Sequence, residues 1–517
     1  MTSESEPDLH AERGDLTESL IATDIWTDEM LYRAGIPIRE VELVTVGGGI
    51  GSFVLTDYLR VHGATTDRIK VLGQLDYPWQ TYEYLTRVSQ IPAGERLRSD
   101  SASRPDCLWG FPSYALAEAF RADSIRGFIA PLFQVATEPI FTDYYTPKAG
   151  HVFTMLRREA DRISYDKMVE KGLVRMVRRR DGGGYFTILT PAEGTSPTKR
   201  VAYRSRFVHV AVGYPGLKFL PDLQEYRQRY NDYRHVVNAY EPHEHVYQDL
   251  KNRQGTVVIR GGGIVASRIL QRLIDDRDRD NTGVKIVHLF RTYVTSAHGP
   301  SIFMRRKGGN GWAYQGFNYP KDAWGGQLRA RMLKLEGEDR AKLYKIIGGT
   351  NTPHRKLWQN QLARGREQGW YSTIVGEVDS VMPRGNDGTI TKITTKSGLI
   401  EVDADYIIDG TGLEADIEEH RLLADLLKHS GAGRNPVGRL DVERSFEVRG
   451  TRNGNGRMYS SGAATLGGYF PGVDTFLGLQ LAAQDIVDDL VSLGFVRRLD
   501  PIRSTREWLR WARNKKI

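Results

Sequence analysis

The 517-residue sequence predicts an α/β protein that repeats one structural plan twice. The first observation is a pair of similar stretches, VELVTVGGGIGSFVLTDYLR at 41–60 and GTVVIRGGGIVASRILQRLI at 255–274. Each combines a Val-rich apolar run, three glycines and apolar residues at helical spacing, the pattern of a strand, a tight turn and a helix. The second observation is that a second strand, a hairpin and another glycine-ended strand follow in both halves. Repetition of this whole order predicts two Rossmann-like domains.

In the first half, the segments after the glycine turn follow that order. RIKVLGQLDYPW at 68–79 contains a second strand and a loop. LVRMVRRRDGGGYFTILT at 173–190 has two alternating runs around Asp181-Gly182-Gly183-Gly184, which predicts a hairpin. FVHVAVGYPGLKFLP at 207–221 then contains a buried strand that ends at Gly213.

The second half repeats the order in different residues. VKIVHLFR at 284–291 is a second strand, and 372–402 contains a hairpin with a turn at Asn386-Asp387-Gly388. DYIIDGTGLEAD at 405–416 is a buried strand that ends in glycines. The chain therefore predicts one strand and helix arrangement built twice.

The composition is that of an ordinary globular protein, with 40% hydrophobic and 26% charged residues and a net charge of +8. The basic residues are scattered, so no nucleic-acid partner is expected. Cys107 is the only cysteine, which excludes an intrachain disulfide and a dithiol redox centre. The polar first residues and the lack of a long apolar run predict a cytoplasmic protein without membrane contact. His243-Glu244-His245 is interpreted as a solvated linker, and no metal is expected.

The glycine turns are the candidate binding elements. A strand that ends in glycines and opens a helix cradles a phosphate, because bare backbone allows close approach and unpaired helix N–H groups face the charge. In the first turn the GxGxxG pattern falls on Gly47, Gly49 and Ser52. In the second turn Gly261, Gly263 and Ala266 give GxGxxA, with Ser267 next. Two such glycine turns predict two bound nucleotides and the transfer of a chemical group or electrons between them.

The order of segments resembles the flavoprotein monooxygenases with two dinucleotide-binding domains, in particular the amine N-hydroxylating and related class B enzymes. The resemblance covers roughly residues 41–492 and implies that an NADPH-binding domain is inserted into an FAD-binding domain. The divisions that it implies are an N-terminal arm, partly disordered, at 1–40, the FAD domain at 41–235 and 413–492, the NADPH domain at 236–412 and a basic C-terminal tail, a surface amphipathic helix, at 493–517.

The same resemblance implies further contacts with the flavin. Residues near the flavin ring would be Trp79, Gln80, Arg98 and Ser99. In the returning segment at 458–490, a strand runs to Gly462 and a helix begins near Thr475, where its N-terminus would stabilise negative charge on the flavin. The sequence departs from the family pattern in three places: Ser52 replaces the third glycine of the first turn, Gly73 and Gln74 replace the usual acidic residue, and Ala463 follows Gly462 in place of Asp.

Arg291 is the residue from which we predict the choice between the two nicotinamide cofactors. It follows Phe290 at the end of the second strand of the second unit, where a carboxylate would hold an unphosphorylated ribose. A guanidinium there would pair with a 2′-phosphate, which predicts NADPH; the alternative is a surface charge.

The function implied by the resemblance is that of an FAD-dependent, NADPH-consuming monooxygenase. It would act with O2 through a C4a-(hydro)peroxyflavin and hydroxylate an amine nitrogen of a small metabolite. No catalytic side chain is predicted, because the cofactor performs the chemistry. Alternatives are Baeyer–Villiger or S-oxygenation, an NADPH-dependent flavin reductase for a protein acceptor, and a non-catalytic nucleotide sensor. Homo-oligomer formation is left open.

Overall fold

The computed structural model describes residues 13–96, 113–137, 145, 147–296, 308–314, 327–347, 356–414 and 416–517. The first of its two large sheets has nine strands: β1 (Ile25–Trp26), β2 (Ile38–Glu40), β3 (Leu43–Val46), β4 (Ile69–Gly73), β5 (Val169–Arg180), β6 (Tyr185–Pro191), β7 (Val201–Ser205), β8 (Phe207–Val210) and β21 (Arg457–Ser460). The order is β2-β7-β6-β5-β4-β3-β8-β21, with β1 beside β5. Strands β5, β4, β3, β8 and β21 are parallel neighbours, which is the Rossmann order.

The second large sheet is entirely parallel, with the order β10-β19-β11-β12-β15. Its strands are β10 (Val236–Asn238), β11 (Thr256–Arg260), β12 (Lys285–Phe290), β15 (Tyr371–Val375) and β19 (Tyr406–Asp409). All of them fall between β8 and β21 in the sequence, so this sheet is inserted into the first. The predicted fold class, two Rossmann-like units with one inserted into the other, is confirmed.

We call the nine-stranded sheet with its helices the first unit, and the all-parallel sheet with its helices the second unit. Smaller strands complete the second unit and join the two units. The strands β13 (Gly308–Gly309) and β14 (Trp312–Ala313) form a short hairpin, and an antiparallel meander contains β16 (Glu377–Pro383), β17 (Thr389–Thr395) and β18 (Gly398–Ala404). The two connections between the units pair with each other as β9 (Gly216–Leu217) and β20 (Leu413–Glu414). The chain therefore leaves and re-enters the first unit at one place.

Helices cover the sheets. They are α1 (Glu18–Ala22), α2 (Asp28–Arg33), α3 (Ile50–Val61), α4 (Gln80–Val88), α5 (Ser113–Phe120), α6 (Ile125–Thr137), α7 (Ala149–Arg162), α8 (Pro221–Tyr230), α9 (Glu244–Asn252), α10 (Ile264–Asp280), α11 (Gln327–Lys334), α12 (Gly337–Ile347), α13 (Lys356–Glu367), α14 (Arg421–His429), α15 (Phe476–Ser492) and α16 (Pro501–Ala512). Within the described residues, none of these helices has the length and apolar character needed to span a bilayer.

The segment before residue 41, described from residue 13 onward, adds two short strands to the first sheet and does not stand apart as an arm. Strands β1 and β2 pair in parallel with β5 and β7. Trp26 and Leu31 are fully buried in a cluster with Phe186 and Ile188 of the sheet. Burial of these large apolar side chains fixes the segment, because exposing each would cost about 1.5–3 kcal/mol.

The C-terminal segment at 493–517 contains the expected helix, α16, and its attachment is more specific than the sequence indicates. Trp511 is buried in the core of the first unit, and Arg158 donates to its carbonyl oxygen at 2.8 Å. The backbone N–H of Ile517 donates to the carbonyl oxygen of Arg162 at 3.0 Å. The segment is therefore docked on α7.

Two further observations concern the inserted segment. Helices α11 and α12 contribute Leu328, Met332 and Leu343 to the core of the first unit, although they lie inside the predicted 236–412 domain, whose boundaries stay predictions. The solvated linker predicted at His243 is wrong for that residue. His243 is buried beside α9, with Nε2 hydrogen-bonded to the Tyr247 hydroxyl at 2.9 Å.

Candidate functional site

Both glycine turns open on one cleft with a volume of about 2060 Å³. The first turn lines it with Gly47 and Gly49, and the second with Gly261 and Gly263. The volume exceeds the roughly 300–1,000 Å³ of a cleft for one small ligand. Two extended ligands therefore fit where the sequence predicts two nucleotides.

The first turn needs glycine for two separate reasons. Gly47 has a φ of +126°, and a Cβ there would lie 2.2 Å from the Ala211 carbonyl oxygen at the end of β8. Gly49 caps α3 with an ordinary φ of −84°, and a Cβ there would have only the Leu75 side chain nearby, at 3.9 Å. Gly47 is thus required by the fold, while Gly49 leaves the helix N-terminus open to the cleft.

The second turn repeats this geometry. Gly261 has a φ of +119°, and a Cβ there would lie 2.5 Å from the Gly410 carbonyl oxygen, whereas Gly263 has nothing within 4 Å. His288 on β12 braces the turn: Nε2–H donates to the Gly261 carbonyl oxygen at 2.6 Å. Burial lowers the pKa of His288 to about 4, so its ring is neutral at ordinary pH.

The residues after the two turns lie beneath the cleft wall. Ser52 is fully buried, and its hydroxyl accepts a hydrogen bond from Thr45 at 2.9 Å. Ala266 packs beside Gly410, where an added Cβ would lie 3.2 Å from the Ala266 Cβ. Ser267 donates to the Ile264 carbonyl oxygen at 2.6 Å. Ser52 and Ala266 therefore pack helix against strand, which is the role of the third glycine of GxGxxG, whereas the Ser267 bond lies within α10. None of the three residues lines the cleft.

Of the residues predicted around the flavin ring, the two that the structure describes, Trp79 and Gln80, do not line the cleft. Trp79 is buried in the core, with its ring centroid 5.0 Å from that of Tyr77. The Gln80 side chain accepts from the Asp76 backbone N–H at 2.7 Å, which stabilises the turn before α4. The cleft wall here is formed instead by Pro78, Thr81 and Tyr82. Arg98 and Ser99 lie outside the described residues.

The returning segment reaches the cleft, and its contact with the flavin stays a prediction. Gly462 and Thr475 both line it. Thr475 caps α15: its hydroxyl oxygen accepts from the Gly478 backbone N–H at 3.0 Å and its hydroxyl donates to the Gly472 carbonyl oxygen at 2.6 Å. The positive end of a 17-residue helix therefore faces the cleft.

The ends of the two second strands also reach the cleft. Arg291 follows β12, lines the cleft and is exposed; within the described part of the chain it has no ion-pair partner. Gln74 follows β4 and is likewise exposed on the cleft wall. A Cβ at Gly73 would lie 3.0 Å from the backbone of Gly47, so the close approach of β4 to the turn favours glycine at position 73. Asp76 pairs with Lys171 and does not line the cleft.

Sequence reasoning missed several polar groups of the cleft. Arg268 on α10 pairs with Glu95 of the first unit at 2.7 Å, which links the two units across the cleft. Asp474, next to the α15 N-terminus, accepts a hydrogen bond from the Tyr214 hydroxyl at 2.6 Å. Neither pair follows from a local pattern, because its members lie far apart in the sequence. Over the residues that the structure describes, no group of acidic, His or Cys side chains is suited to hold a metal.

The residues present fit two dinucleotides. Each turn combines bare glycine backbone with the N-terminus of a helix of twelve or more residues, the arrangement that binds a pyrophosphate. Exposed Arg291 and Gln74 stand where a ribose or its phosphate would be held.

No protein-family model and no curated protein sequence matches the chain. Solved structures do match. Ornithine hydroxylase from Pseudomonas aeruginosa is 17% identical, with a TM-score of 0.60 over 88% of this chain and 100% of its own. A cadaverine monooxygenase from Erwinia amylovora, bound to FAD, is 13% identical, with a TM-score of 0.61 over 90% and 98%. Ornithine N-hydroxylase from Kutzneria sp. 744, with reduced FAD, NADP+ and L-ornithine, is 14% identical, with a TM-score of 0.59 over 88% and 99%.

At these identities the likeness establishes the fold. The chain has the two-unit fold of the amine N-hydroxylating flavoprotein monooxygenases, and the resemblance predicted from the sequence is confirmed at that level.

Proposed function

We propose that this chain is an FAD-dependent, NADPH-consuming monooxygenase that hydroxylates an amine nitrogen of a small metabolite. The observation that carries the proposal is the single cleft shared by two glycine turns. Two nucleotides in one cleft can exchange a hydride directly, without a thiol pair. The ornithine hydroxylase and the cadaverine monooxygenase of similar fold support an amine acceptor.

Each turn has a distinct role in this proposal. The backbone at Gly47–Gly49 and the N-terminus of α3 would hold the FAD pyrophosphate, and Gly261–Gly263 with α10 would hold that of NADPH. Arg291 would pair with the 2′-phosphate. The N-terminus of α15, capped by Thr475, would stabilise negative charge on the flavin. FAD, when bound, supplies hydride acceptance and oxygen activation.

The rest of the wall would exclude water and select the substrate. Apolar side chains line the cleft near α15, including Leu466, Phe470 and Phe476. Such a wall limits the access of water to reactive groups. Asp474 has no ion-pair partner within the described residues, and its carboxylate lies on this wall, so it is a candidate anchor for a cationic group of an amine substrate.

The first expected result concerns the cofactor. The purified chain should be yellow, or become yellow with added FAD, and should release FAD when denatured. The reason is that the α3 N-terminus is open to the cleft and suited to a pyrophosphate. The measurement is a flavin absorbance spectrum with chromatography of the released cofactor. No flavin bands after incubation with excess FAD would contradict the proposal and favour the nucleotide-sensing alternative.

The second expected result concerns the fate of oxygen. Incubation with NADPH, labelled O2 and a panel of diamines, amino acids, thioethers and ketones should yield a hydroxylamine with one labelled oxygen atom. Mass spectrometry identifies the product, and NADPH consumption measures coupling. Label on sulfur or beside a carbonyl would indicate S-oxygenation or Baeyer–Villiger chemistry. No labelled product, together with fast reduction of a protein acceptor, would contradict a monooxygenase. The control omits the amine. It measures how much NADPH is oxidised with release of peroxide and without a hydroxylated product.

A further inference from the structure

A chain of four polar side chains runs beneath the first glycine turn to the cleft. Thr45 donates to Ser52 at 2.9 Å and contacts His209 Nδ1 at 2.8 Å. His209 Nε2 contacts the Ser461 hydroxyl at 2.9 Å. Three of these side chains are fully buried, and Ser461, 3% exposed, alone among the four lines the cleft. The chain thus links α3, β3, β8 and the residue that follows β21.

Counting protons sets the direction of each hydrogen bond. The one hydroxyl proton of Thr45 goes to Ser52, so the Thr45 oxygen accepts from His209 Nδ1–H. Burial lowers the pKa of His209 to about 3, so the ring is neutral and Nε2 has no proton. Nε2 therefore accepts the Ser461 proton. The Ser461 oxygen is left as a hydrogen-bond acceptor toward the cleft.

The position of Ser461 points to the first turn. A Cβ added to Gly51 of α3 would lie 3.3 Å from the Ser461 oxygen, and both residues line the cleft. The neighbouring hydroxyls are turned away: Ser460 donates to the Val210 carbonyl oxygen and Thr465 to that of Gly462. Ala463 offers no polar side chain. In the stretch 457–466, Ser461 is the side chain that presents a polar atom to the cleft.

We propose that the Ser461 hydroxyl accepts a hydrogen bond from a hydroxyl group of bound FAD, and that His209 holds it in this orientation. This inference rests on the proposed FAD site. An oxygen with only lone pairs left toward the cleft suits a sugar hydroxyl, which donates, and repels a phosphate oxygen, which only accepts. The hydroxyl belongs either to the ribityl chain or to the adenosine ribose.

The test titrates the full chain, stripped of flavin, with FAD and measures affinity by flavin fluorescence. Ser461→Ala should raise the FAD Kd about 3- to 10-fold, the range of one net hydrogen bond. His209→Asn keeps an amide near the Thr45 contact and removes the contact with Ser461, so it should also weaken FAD. The FAD Kd of the double variant should be little higher than that of the weaker-binding single variant, because the two residues act on one contact.

FAD analogues identify the hydroxyl. Because they are compared on the same wild-type protein, the result does not depend on whether a variant folds. The analogues are a deoxyribityl FAD and an FAD with deoxyadenosine. Wild type should bind the one that lacks the donating hydroxyl more weakly than FAD, by a factor similar to the effect of Ser461→Ala. Ser461→Ala should not distinguish that analogue from FAD. The matched control is Ser460→Ala, which removes a buried hydroxyl outside the cleft and should keep the discrimination of wild type.

Three outcomes would overturn the inference. If wild type binds FAD but Ser461→Ala binds it within twofold, Ser461 makes no contact. If wild type binds every deoxy analogue as well as FAD, the partner is not a hydroxyl. If wild type binds no FAD, the proposed function fails together with this inference.

Discussion

Gly49→Ala should leave the fold intact and abolish most FAD binding. A Cβ at this position meets only the Leu75 side chain, at 3.9 Å, and the φ of −84° suits alanine. The methyl group would stand at the N-terminus of α3, where the pyrophosphate is expected to approach. We expect the FAD Kd to rise at least about 100-fold, about 2.7 kcal/mol, which equals one or two charge-assisted hydrogen bonds. Flavin fluorescence titration and a thermal unfolding scan measure the two effects.

Gly47→Ala is the contrasting variant two residues away. Its φ of +126° and the Ala211 carbonyl oxygen, 2.2 Å from the added Cβ, require the backbone to move. It should lower the unfolding midpoint of the first unit by roughly 6–12 °C, for a loss of about 3 kcal/mol. Gly263→Ala has open space around the added Cβ, so the fold should tolerate it. This variant should bind FAD as wild type does and should lose NADPH binding. FAD binding unchanged in Gly49→Ala would mean that the α3 N-terminus does not hold the cofactor.

Arg291→Ala should reverse the preference between the nicotinamide cofactors. Arg291 directly follows β12 on the cleft wall, and its guanidinium has no ion-pair partner within the described segments. Loss of a charge-assisted contact with the 2′-phosphate should raise the NADPH KM roughly 10- to 150-fold, about 1.5–3 kcal/mol, with little change for NADH. Flavin reduction rates over a series of NADPH and NADH concentrations give both values.

Lys285→Ala is the matched control for that variant. Lys285 is also exposed and lies at the opposite end of the same strand. It should change neither cofactor's KM more than twofold. An equal loss for NADPH and NADH in Arg291→Ala would show that the arginine stabilises the domain or contacts a shared part of the two cofactors, and would remove the basis for an NADPH preference.

Local sequence patterns determined the two-unit fold. A glycine with φ above zero, a helix capped by Thr475 and an apolar strand are each specified by neighbouring residues, so their positions are readable along the chain. The repeat of the same order at both turns carries the family resemblance, and the resemblance implied the insertion. The cleft is lined by Gly47, Gly49, Gly261, Gly263 and Arg291, which local patterns point to, and by Gly462 and Thr475, which the resemblance adds; their binding roles stay predictions.

Only the tertiary structure decided which side chains of a helix or loop face the cleft. Trp79 and Tyr82 are three positions apart and equally aromatic, yet packing of α4 buries Trp79 in the core and turns Tyr82 to the cleft. His209 and Ser461 meet although they are 252 positions apart, because β8 and β21 are adjacent strands. Such contacts depend on strand order and helix rotation, which no local spacing encodes. The sequence alone therefore determined the two glycine turns, and the packing of distant segments decided which polar groups surround them.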